Sequence, residues 1–324
     1  MIWLKRFNNF IKIASSYIIS RLTHQVIHWG RPLAVSIEPT NHCNLSCLEC
    51  PSGIRELSRA RGYMDASLFR SVIGQLSPYL SYLSLYFQGE PFLNSGFFDS
   101  IQYARSKKIY VSTSTNGHFL TPGNAESIIK SGLNRLIISL DGTDQESYAS
   151  YRVGGNFEKV TEGIRQLVKI KKELNSRTPS IVIQFLVLKT NQHQIKEIKH
   201  LGKQLRVDKV VIKTAQFNHF QNGNPLMSDI PEYSRYSLTN SPAQYQIKNH
   251  LPNACFRMWS GCVFTWDGKV VPCCFDKDAS YTLGNMQKES FHEIWRSRGY
   301  HDFRAKILKS RKSIAICNNC TQTF

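Results

Sequence analysis

Residues 33–50 read LAVSIEPTNHCNLSCLEC, an apolar run followed directly by a loop with three cysteines. The run Leu33–Pro39 has the composition of a buried strand. Cys43, Cys47 and Cys50 follow it with the spacing CxxxCxxC. A structural zinc site normally uses four protein ligands, and disulfides use cysteines in pairs. Three cysteines in one loop therefore predict either a metal site with one position left open to a ligand that is not part of the protein, or a structural zinc site whose fourth ligand is remote in the chain.

The length and charge of the chain limit its class. With 324 residues it is long enough for one large domain and a smaller one, and 41% hydrophobic with 20% charged residues is typical of a folded protein. Its 41 Lys and Arg exceed its 23 Asp and Glu, for a net charge of +18. The basic residues are spread along the chain without a nucleic-acid-binding signature. The charge therefore fits an acidic protein partner, an anionic substrate or an anionic lipid without choosing among them, and we expect no nucleic acid.

Residues 1–32 are predicted to form an amphipathic helical segment. Large apolar residues recur with helical spacing at Leu4, Phe7, Ile11, Ile18 and Leu22. No stretch approaches the ~20 apolar residues of a membrane span, and a signal-peptide pattern is absent. We expect the helix to pack on its own domain, with contact to a membrane surface as the less favoured alternative. A cytoplasmic location follows, where clustered cysteines bind metals more often than they form disulfides.

Residues 33–217 alternate β-rich runs with segments of helical period. Predicted strands are Leu33–Pro39, Tyr82–Phe87, Tyr110–Thr115, Arg135–Leu140, Ser180–Leu188 and Lys209–Lys213. Predicted helices are Leu68–Leu76, Asn94–Lys107, Asn124–Ser131, Phe157–Asn175 and Gln192–Gln204. This alternation predicts a parallel α/β sheet, either open or closed into a partial barrel. Ligands of such sheets bind at the carboxyl ends of the strands, where the cysteine loop, GEP (89–91), TNG (115–117) and SLDG (139–142) are all expected.

A compositional break follows Phe217. Residues 218–250 are rich in Asn, Ser and Pro and are predicted to be a linker or an excursion loop. Residues 251–324 carry a second set of cysteines, namely Cys255, Cys273, Cys317 and Cys320. A hairpin with its turn at Asp267–Gly268 is predicted to end at Cys273. Four thiolates suit either zinc or a fully ligated iron–sulfur cluster. Cys274 is the alternative to Cys273, and Cys262 is expected to be a buried thiol.

The cysteine loop resembles that of the radical S-adenosylmethionine (SAM) superfamily, in which CxxxCxxC follows the first strand of a partial (βα)6 barrel. The resemblance implies that Cys43, Cys47 and Cys50 hold three irons of a [4Fe–4S] cluster while SAM chelates the fourth. Reductive cleavage of SAM then yields methionine and a 5′-deoxyadenosyl radical. One residue departs from the family pattern: the position before the third cysteine is usually aromatic and near the adenine, and here it is Glu49. The adenine contact at that position is therefore in doubt.

The same resemblance implies a set of SAM contacts: Gly89, Glu90, Asn116, Ser139, Arg152 and Gln184. Gly89 and Glu90 lie in QGEP, which resembles the GGEP segment that binds the methionyl amine. Ser139 matches a serine that reaches the ribose and carboxylate region, and Arg152 an arginine that pairs with the SAM carboxylate. Asn116 has a turn residue as its alternative interpretation. Gln184 interrupts an apolar strand and is a weaker contact.

Residues 251–324 resemble the SPASM and twitch domains, which bind auxiliary clusters. Cys255-x12-Gly268-x4-Cys273 follows the first half of the SPASM pattern, and the chain ends four residues after Cys320. We therefore expect the shorter twitch form, with one auxiliary [4Fe–4S] cluster bound by Cys255, Cys273, Cys317 and Cys320. Together the resemblances predict two [4Fe–4S] clusters and SAM as cofactors.

The predicted reaction is abstraction of a substrate hydrogen followed by transfer of an electron to the auxiliary cluster. This is a net two-electron oxidation of a small sugar-like or alcohol substrate, as in a twitch-containing dehydrogenase of an aminocyclitol alcohol. One alternative is a peptide-modifying maturase, and another is a non-catalytic zinc or iron–sulfur protein, in which GEP and SLDG would have no purpose. Candidates for the base are Lys213 and His219. An acidic flavodoxin or ferredoxin is the expected electron donor.

Overall fold

The computed structural model describes residues 2–241 and 243–321, and its main feature is a sheet of nine strands. The first half of the chain contains α1 (Ile2–Thr23), β1 (Ala34–Ile37), α2 (Ala66–Leu76), β2 (Tyr82–Ser84), α3 (Phe97–Ser106), β3 (Tyr110–Thr115), α4 (Pro122–Lys130), β4 (Arg135–Ser139), α5 (Gln145–Tyr151) and α6 (Phe157–Glu173). The second half contains β5 (Ser180–Val187), α7 (Ile195–Gln204), β6 (Lys209–Thr214), β7 (Tyr236–Leu238), β8 (Tyr245–Ile247), α8 (Arg257–Ser260), β9 (Gly261–Phe264), β10 (Lys269–Val271), β11 (Gly284–Asn285), α9 (Phe291–Arg296) and α10 (Arg298–Ser310).

The strands β1 to β6 are parallel and adjacent in sequence order, which confirms the predicted partial barrel of βα units. Their core is apolar, with Leu83, Leu136 and Ile183 fully buried. All six predicted strands are present, with boundaries that differ by a few residues. The short helix α5 was not expected because QESYASY has no apolar helical period. It begins where the Asp144 side chain accepts a hydrogen bond from the Ser147 N–H.

The C-terminal region does not form a sheet of its own. Strand β9 pairs in parallel with β1, in register from Ala34 opposite Gly261 to Ile37 opposite Phe264, so the second cysteine set is attached to the barrel. Gly261 permits this approach, because a Cβ there would lie 2.5 Å from the Ala34 carbonyl oxygen. The hairpin of β9 and β10 forms as predicted, with Gly268 at φ +80° in its turn.

Residues 218–250 contain the β7–β8 pair and pack onto the cysteine loop. Phe220, Met227 and Tyr236 share a buried apolar cluster with Leu45 and Cys47. The segment that the sequence indicates as a linker or excursion loop therefore covers one side of the first cysteine set.

Helix α1 packs on its own domain, as the sequence predicts. It does so through a mostly polar face that includes Arg6, Asn9 and Ser16, whereas an amphipathic helix usually packs through its apolar face. The five apolar residues of the predicted helical pattern, which are Leu4, Phe7, Ile11, Ile18 and Leu22, are all exposed. The reason is that the underlying surface presents backbone carbonyl groups, which require hydrogen-bond donors. Within the described parts of the chain, no helix is long and apolar enough to cross a membrane.

Candidate functional site

The first cysteine loop follows β1 and lies at the carboxyl ends of the strands. Cys47 is buried, and Cys43 and Cys50 are half-buried. The pKa of Cys43 is raised to about 11, mainly by burial, with smaller contributions from the Glu90 carboxylate and the other two thiols of the loop. The three thiols are therefore close enough for their charges to interact.

The donor set around these thiols fits an iron–sulfur cluster. Asn116 Nδ2 lies 3.9 Å from Cys43 Sγ, and Arg152 Nη1 lies 3.7 Å from Cys47 Sγ, so two N–H donors point at the sulfur atoms. Among residues 2–241 and 243–321, no three His, Cys, Asp or Glu side chains are grouped to hold a single metal ion. An iron–sulfur cluster requires a wider spacing of its ligands than a single metal ion does, because each thiolate binds its own iron.

Gly89 and Glu90 lie after β2 and pack against the backbone that leads into the cysteine loop. Gly89 has φ +73°, and a Cβ there would lie 2.5 Å from the Thr40 carbonyl oxygen and 2.6 Å from that of His42. The Glu90 N–H donates to the same His42 oxygen at 2.7 Å. No residue larger than glycine fits this close approach, so the QGEP segment sets the position of the chain just before Cys43.

The Glu90 carboxylate is buried at the rim of the barrel, with 1% exposure. It accepts hydrogen bonds from Thr115 Oγ1 at 2.8 Å and from the Asn116 N–H at 2.7 Å. Burial nevertheless raises its pKa to about 7, since these donors only partly replace water. An amine bound at the rim would find here a fixed, poorly solvated acceptor.

Asn116 connects three of the predicted motifs. Its backbone donates to Glu90, and its side-chain Nδ2 donates to Asn44 Oδ1 at 2.8 Å and faces Cys43. The residue thus joins the TNG turn to both the QGEP segment and the cysteine loop.

Ser139, Arg152 and Gln184 occupy the other side of the rim. Ser139 is buried at the end of β4 and lies opposite Gln184 of β5 in the strand register. Arg152 follows α5, and its Nε and Nη2 each lie 2.6 Å from Asp141 Oδ2. Asp141 also accepts from the Leu186 N–H at 2.6 Å, which fixes the pair on the sheet. The expected contact of Arg152 with the SAM carboxylate stays a prediction, because two of its nitrogens already bind Asp141.

Glu49, the residue that departs from the family pattern, points to the covering segment. Its Oε1 accepts a hydrogen bond from Asn224 Nδ2 at 2.8 Å. The position that is usually aromatic therefore serves here to attach residues 218–250 to the cysteine loop.

The second cysteine set surrounds one small cavity, which is lined by Cys255, Cys273, Cys317 and Cys320. Cys274 is absent from this lining, and Cys262 is buried elsewhere, with 5% exposure. Burial raises the pKa of Cys317 to about 11, and Cys255 and Cys320 contribute to the rise. This geometry favours Cys273 over Cys274 as the fourth thiol of a fully ligated cluster.

A buried arginine beside this cavity is a site residue that the sequence did not reveal. Arg311 is 1% exposed, its Nη2 lies 3.2 Å from Cys320 Sγ, and its Nη1 donates to the Ala254 carbonyl oxygen at 2.8 Å. In the sequence it is one of many basic residues near a helix end, so no pattern distinguishes it.

A larger cavity, of about 510 Å³, lies beside the second cysteine set. Ser36, Ser84 and Tyr86 line it from β1, from β2 and from the turn after β2, and Cys273 of the second set and the neighbouring Cys274 also line it. Burial raises the pKa of Tyr86, and the thiols of Cys50 and Cys43 raise it further. The Tyr86 hydroxyl therefore lies within electrostatic range of the first set. The cavity has a mostly apolar lining with a few polar groups, and its size suits a small molecule.

The two residues that the sequence suggested as the base, Lys213 and His219, do not lie at this site. Lys213 is exposed on edge strand β6, and His219 is exposed in the segment that follows. Neither side chain makes a hydrogen bond or an ion pair within the part of the chain that the structure describes. Lys277, which the sequence did not indicate, is half-buried. Burial lowers its pKa, while the charges of Cys50 and Cys274 raise it, so its ammonium group lies within electrostatic range of these two thiols.

The fold and the thiols together define an iron–sulfur protein with its cofactor site at the carboxyl ends of a partial α/β barrel. A sequence model of the radical SAM superfamily matches residues 37–202, and a model of the SPASM iron–sulfur cluster-binding domain matches residues 255–321. The chain belongs to the radical SAM superfamily. It binds SAM and a [4Fe–4S] cluster, and its SPASM domain adds auxiliary iron–sulfur binding.

Three similar proteins illustrate the range of the superfamily. The tungsten-containing aldehyde ferredoxin oxidoreductase cofactor-modifying protein of Pyrococcus furiosus is 25% identical over 313 residues, which cover 88% of this chain and 86% of that protein. The crystal structure of BtrN in complex with AdoMet and 2-DOIA has a TM-score of 0.55 at 18% identity, covering 91% of this chain and 95% of BtrN. That of Streptococcus suis SuiB bound to precursor peptide SuiA has a TM-score of 0.64 at 14% identity, covering 90% of this chain and 70% of SuiB. At these identities the two structures show the fold alone.

Proposed function

We propose that this radical SAM enzyme removes two electrons from a small polar substrate, such as a sugar-like alcohol, held between the two cysteine sets. When bound, SAM and the first cluster supply a 5′-deoxyadenosyl radical that takes a hydrogen atom, and the auxiliary cluster accepts the remaining electron. The cavity of about 510 Å³ carries this proposal, because it is lined by Cys273 and by Tyr86, whose hydroxyl is within electrostatic range of Cys43 and Cys50. A substrate there would lie between the group that removes hydrogen and the group that accepts the electron.

The ligand assignment is part of the proposal. Cys43, Cys47 and Cys50 would hold the SAM-binding cluster. Glu90 would accept from the methionyl amine, since its carboxylate is fixed by Thr115 and Asn116 and has lone pairs left. The auxiliary cluster would be held by Cys255, Cys273, Cys317 and Cys320, which surround one cavity.

The SAM carboxylate would be received on the side of the rim formed by Ser139, Gln184 and Arg152. Ser139 and Gln184 lie side by side on neighbouring strands, and Arg152 supplies positive charge beside Cys47. The position of Gly89 keeps QGEP and the cysteine loop in contact.

Oxidation of an alcohol also releases a proton, and we propose that Lys277 accepts it in place of Lys213 or His219. Burial lowers the pKa of Lys277, which favours the neutral amine that can accept a proton. Replacing Lys277 with Met should leave 5′-deoxyadenosine formation intact and reduce product formation. Replacing the exposed Lys213 or His219 should change neither. An equal loss of nucleoside and product in the Lys277 variant would contradict this assignment.

The test of the oxidation begins with anaerobic reconstitution and with counting iron and sulfide. About eight irons per chain are expected for two [4Fe–4S] clusters. Incubation with SAM, dithionite and a panel of aminocyclitols and other polyols should give 5′-deoxyadenosine together with a product two hydrogen atoms lighter. Carbon-deuterated substrate should transfer deuterium to the nucleoside. Products that keep both hydrogens would refute the dehydrogenation. Zinc binding without SAM cleavage would refute radical chemistry altogether.

Peptide modification is the second candidate, and one structural observation favours it. Strand β6 is the last strand of the sheet, and within residues 2–241 and 243–321 no strand pairs with its outer edge, which would suit pairing with an extended peptide. SuiB, a protein of similar fold, has been crystallised with its precursor peptide. A precursor peptide that stimulates nucleoside formation and becomes cross-linked would establish this alternative and exclude a small alcohol as the substrate.

The excess of positive charge supports docking of an acidic electron donor such as flavodoxin or ferredoxin. The rate of reduction by such a donor should fall as salt is raised, because screening weakens the attraction between the two surfaces.

A further inference from the structure

The outward face of α1 is an apolar surface that the fold does not use. The apolar stripe consists of Leu4, Phe7, Ile11, Ile18 and Leu22, which are all exposed. At 3.6 residues per turn these five positions lie on one side of the helix, nearly opposite the buried face. Trp3, 71% exposed, and Phe10 extend the stripe along one border. Surface helices normally turn such a face toward their own core.

The buried face of α1 is already satisfied by hydrogen bonds. Arg6 donates to the carbonyl oxygens of Lys108 at 2.7 Å, Lys107 at 3.1 Å and Ser77 at 3.2 Å. Asn9 exchanges two hydrogen bonds with the backbone of Arg31. The helix is thus held in this orientation by specific polar contacts, and the apolar stripe is free to bind something outside the chain.

The surroundings of the apolar stripe are basic. Lys5, Lys12 and Arg21 are exposed on α1, and residues 1–37 contain no Asp or Glu. At the start of the helix, a cavity of about 530 Å³ is lined by Trp3, Lys5, Lys107 and Lys108. Three ammonium groups beside an indole ring form a suitable environment for a phosphate group next to an apolar phase.

We propose that α1 binds this enzyme to the surface of an anionic lipid bilayer, with the apolar stripe at the level of the acyl chains and the lysines on lipid phosphates. Helices that lie in a membrane surface have this combination of one apolar face and basic residues. A second copy of the chain fits poorly, because pairing two stripes would bring Lys5 and Lys12 of both copies together without an acidic residue on either helix.

The position of α1 also separates it from the chemistry. Arg6 and Asn9 contact residues that directly precede β2, β3 and β1, so the helix crosses the amino ends of these strands. The cysteine loop lies at the opposite ends. Binding of a membrane to α1 would therefore leave the rim accessible to substrate. An electron-donor protein bound to α1 would instead be far from the clusters that it has to reduce. The inference does not depend on the proposed substrate.

The first experiment is flotation of the full reconstituted protein with vesicles of phosphatidylcholine, with or without phosphatidylglycerol. Binding is expected only to the anionic vesicles. The triple variant Phe7→Ser, Ile11→Ser, Ile18→Ser should weaken it by about tenfold or more, since three side chains leave the acyl region. A control variant with Leu174→Ser and Leu238→Ser, two exposed leucines elsewhere, should bind as the parent does. Unchanged iron content and circular dichroism would show that both variants are folded.

A second pair of variants tests the charges. Lys5→Glu with Lys12→Glu should reduce binding to anionic vesicles by about tenfold or more, because each lysine near the surface contributes to the attraction. Lys169→Glu with Lys172→Glu, exposed on α6, is the matched control and should have little effect. Raising salt from about 0.1 M to about 1 M should release the parent, since the Debye length falls from about 10 Å to about 3 Å.

Three results would overturn the proposal. The first is an absence of binding to anionic vesicles, and the second is equal binding of the stripe variant and the parent. The third is a parent protein that is dimeric in light scattering and a stripe variant that is monomeric, with neither protein binding vesicles. That result would assign the surface to a second copy of the chain.

Discussion

Arg311 is expected to set the reduction potential of the auxiliary cluster, and Arg311→Met should lower that potential. Its guanidinium group is buried, its Nη2 lies 3.2 Å from Cys320 Sγ, and its charge also acts on Cys255 and Cys317. Reduction adds one negative charge to the cluster, which a neighbouring positive charge stabilises. Removing that positive charge makes reduction less favourable.

The size of the effect follows from Coulomb's law. At an effective dielectric of about 20, two unit charges 3.2 Å apart interact by about 5 kcal/mol. The added electron is shared over the whole cluster, so its mean distance from the guanidinium group is longer, and about 1–3 kcal/mol remains. For a one-electron couple this corresponds to a potential lowered by about 40–130 mV.

The assay is a redox titration followed by electron paramagnetic resonance. It is performed in a background with Cys43, Cys47 and Cys50 all replaced by Ala, so that only the auxiliary cluster is observed. Arg311→Lys keeps the charge and should shift the potential less than Arg311→Met. Arg304→Met is the matched control, because Arg304 is also buried but contacts Met258 and Trp295 rather than the four cysteines.

A shift below about 20 mV in Arg311→Met, with iron content unchanged, would refute the reasoning. So would an equal shift in the Arg304 variant, because the effect would then come from loss of packing rather than from charge.

Three further predictions concern the rim and the ligands. Gly89→Ala should destabilise the protein by about 2–4 kcal/mol in urea unfolding, because φ is +73° and the new Cβ meets Thr40 O at 2.5 Å; an unchanged midpoint would contradict the close approach. Cys273→Ala should reduce the iron content to about four per chain while Cys274→Ala retains about eight; the reverse result would assign Cys274 as the ligand. In the cofactor-free protein the Glu90 pKa of about 7 lies above its ordinary 4.5, so stability is lost as pH rises from about 4.5 to about 7. Glu90→Gln should therefore be more stable than the parent by about 3 kcal/mol at pH 8 and equal to it near pH 4, and an identical pH profile for the two proteins would contradict the raised pKa.

The sequence predicted the barrel because its signals are local. The apolar runs around Val35, Ile138 and Ile183 are short and β-rich, and each is followed by a helical period, so strand and helix could be assigned without tertiary information. The cysteine spacing is local too, and so is the turn at Asp267–Gly268. The helix Gln145–Tyr151 escaped detection because its stability depends on a cap and on burial of Tyr148 rather than on an apolar period.

Site residues that depend on distant contacts were assigned less well. Lys213 interrupts an apolar strand, which suggested an inward side chain, but β6 is at the edge of the sheet and the side chain is exposed. His219 was also placed at the site, and it too is exposed. Arg311 and Lys277 have no distinguishing local pattern. Their surroundings combine cysteines close in the chain, Cys320 for Arg311 and Cys274 for Lys277, with distant ones, Cys255 and Cys50, that only the fold brings near.

The sequence by itself determined the order of strands and helices, because those signals are local along the chain. Its resemblance to a known family gave the class of cofactor, and the cysteines expected to bind iron stay a prediction. Only the tertiary structure decided that β9 extends the barrel sheet, that Cys273 rather than Cys274 lines the second cavity, and that α1 turns its apolar side outward. Amphipathic periodicity shows that a helix has two faces. Which face is buried depends on the groups opposite it, and here those are backbone carbonyls that bind Arg6 rather than an apolar surface.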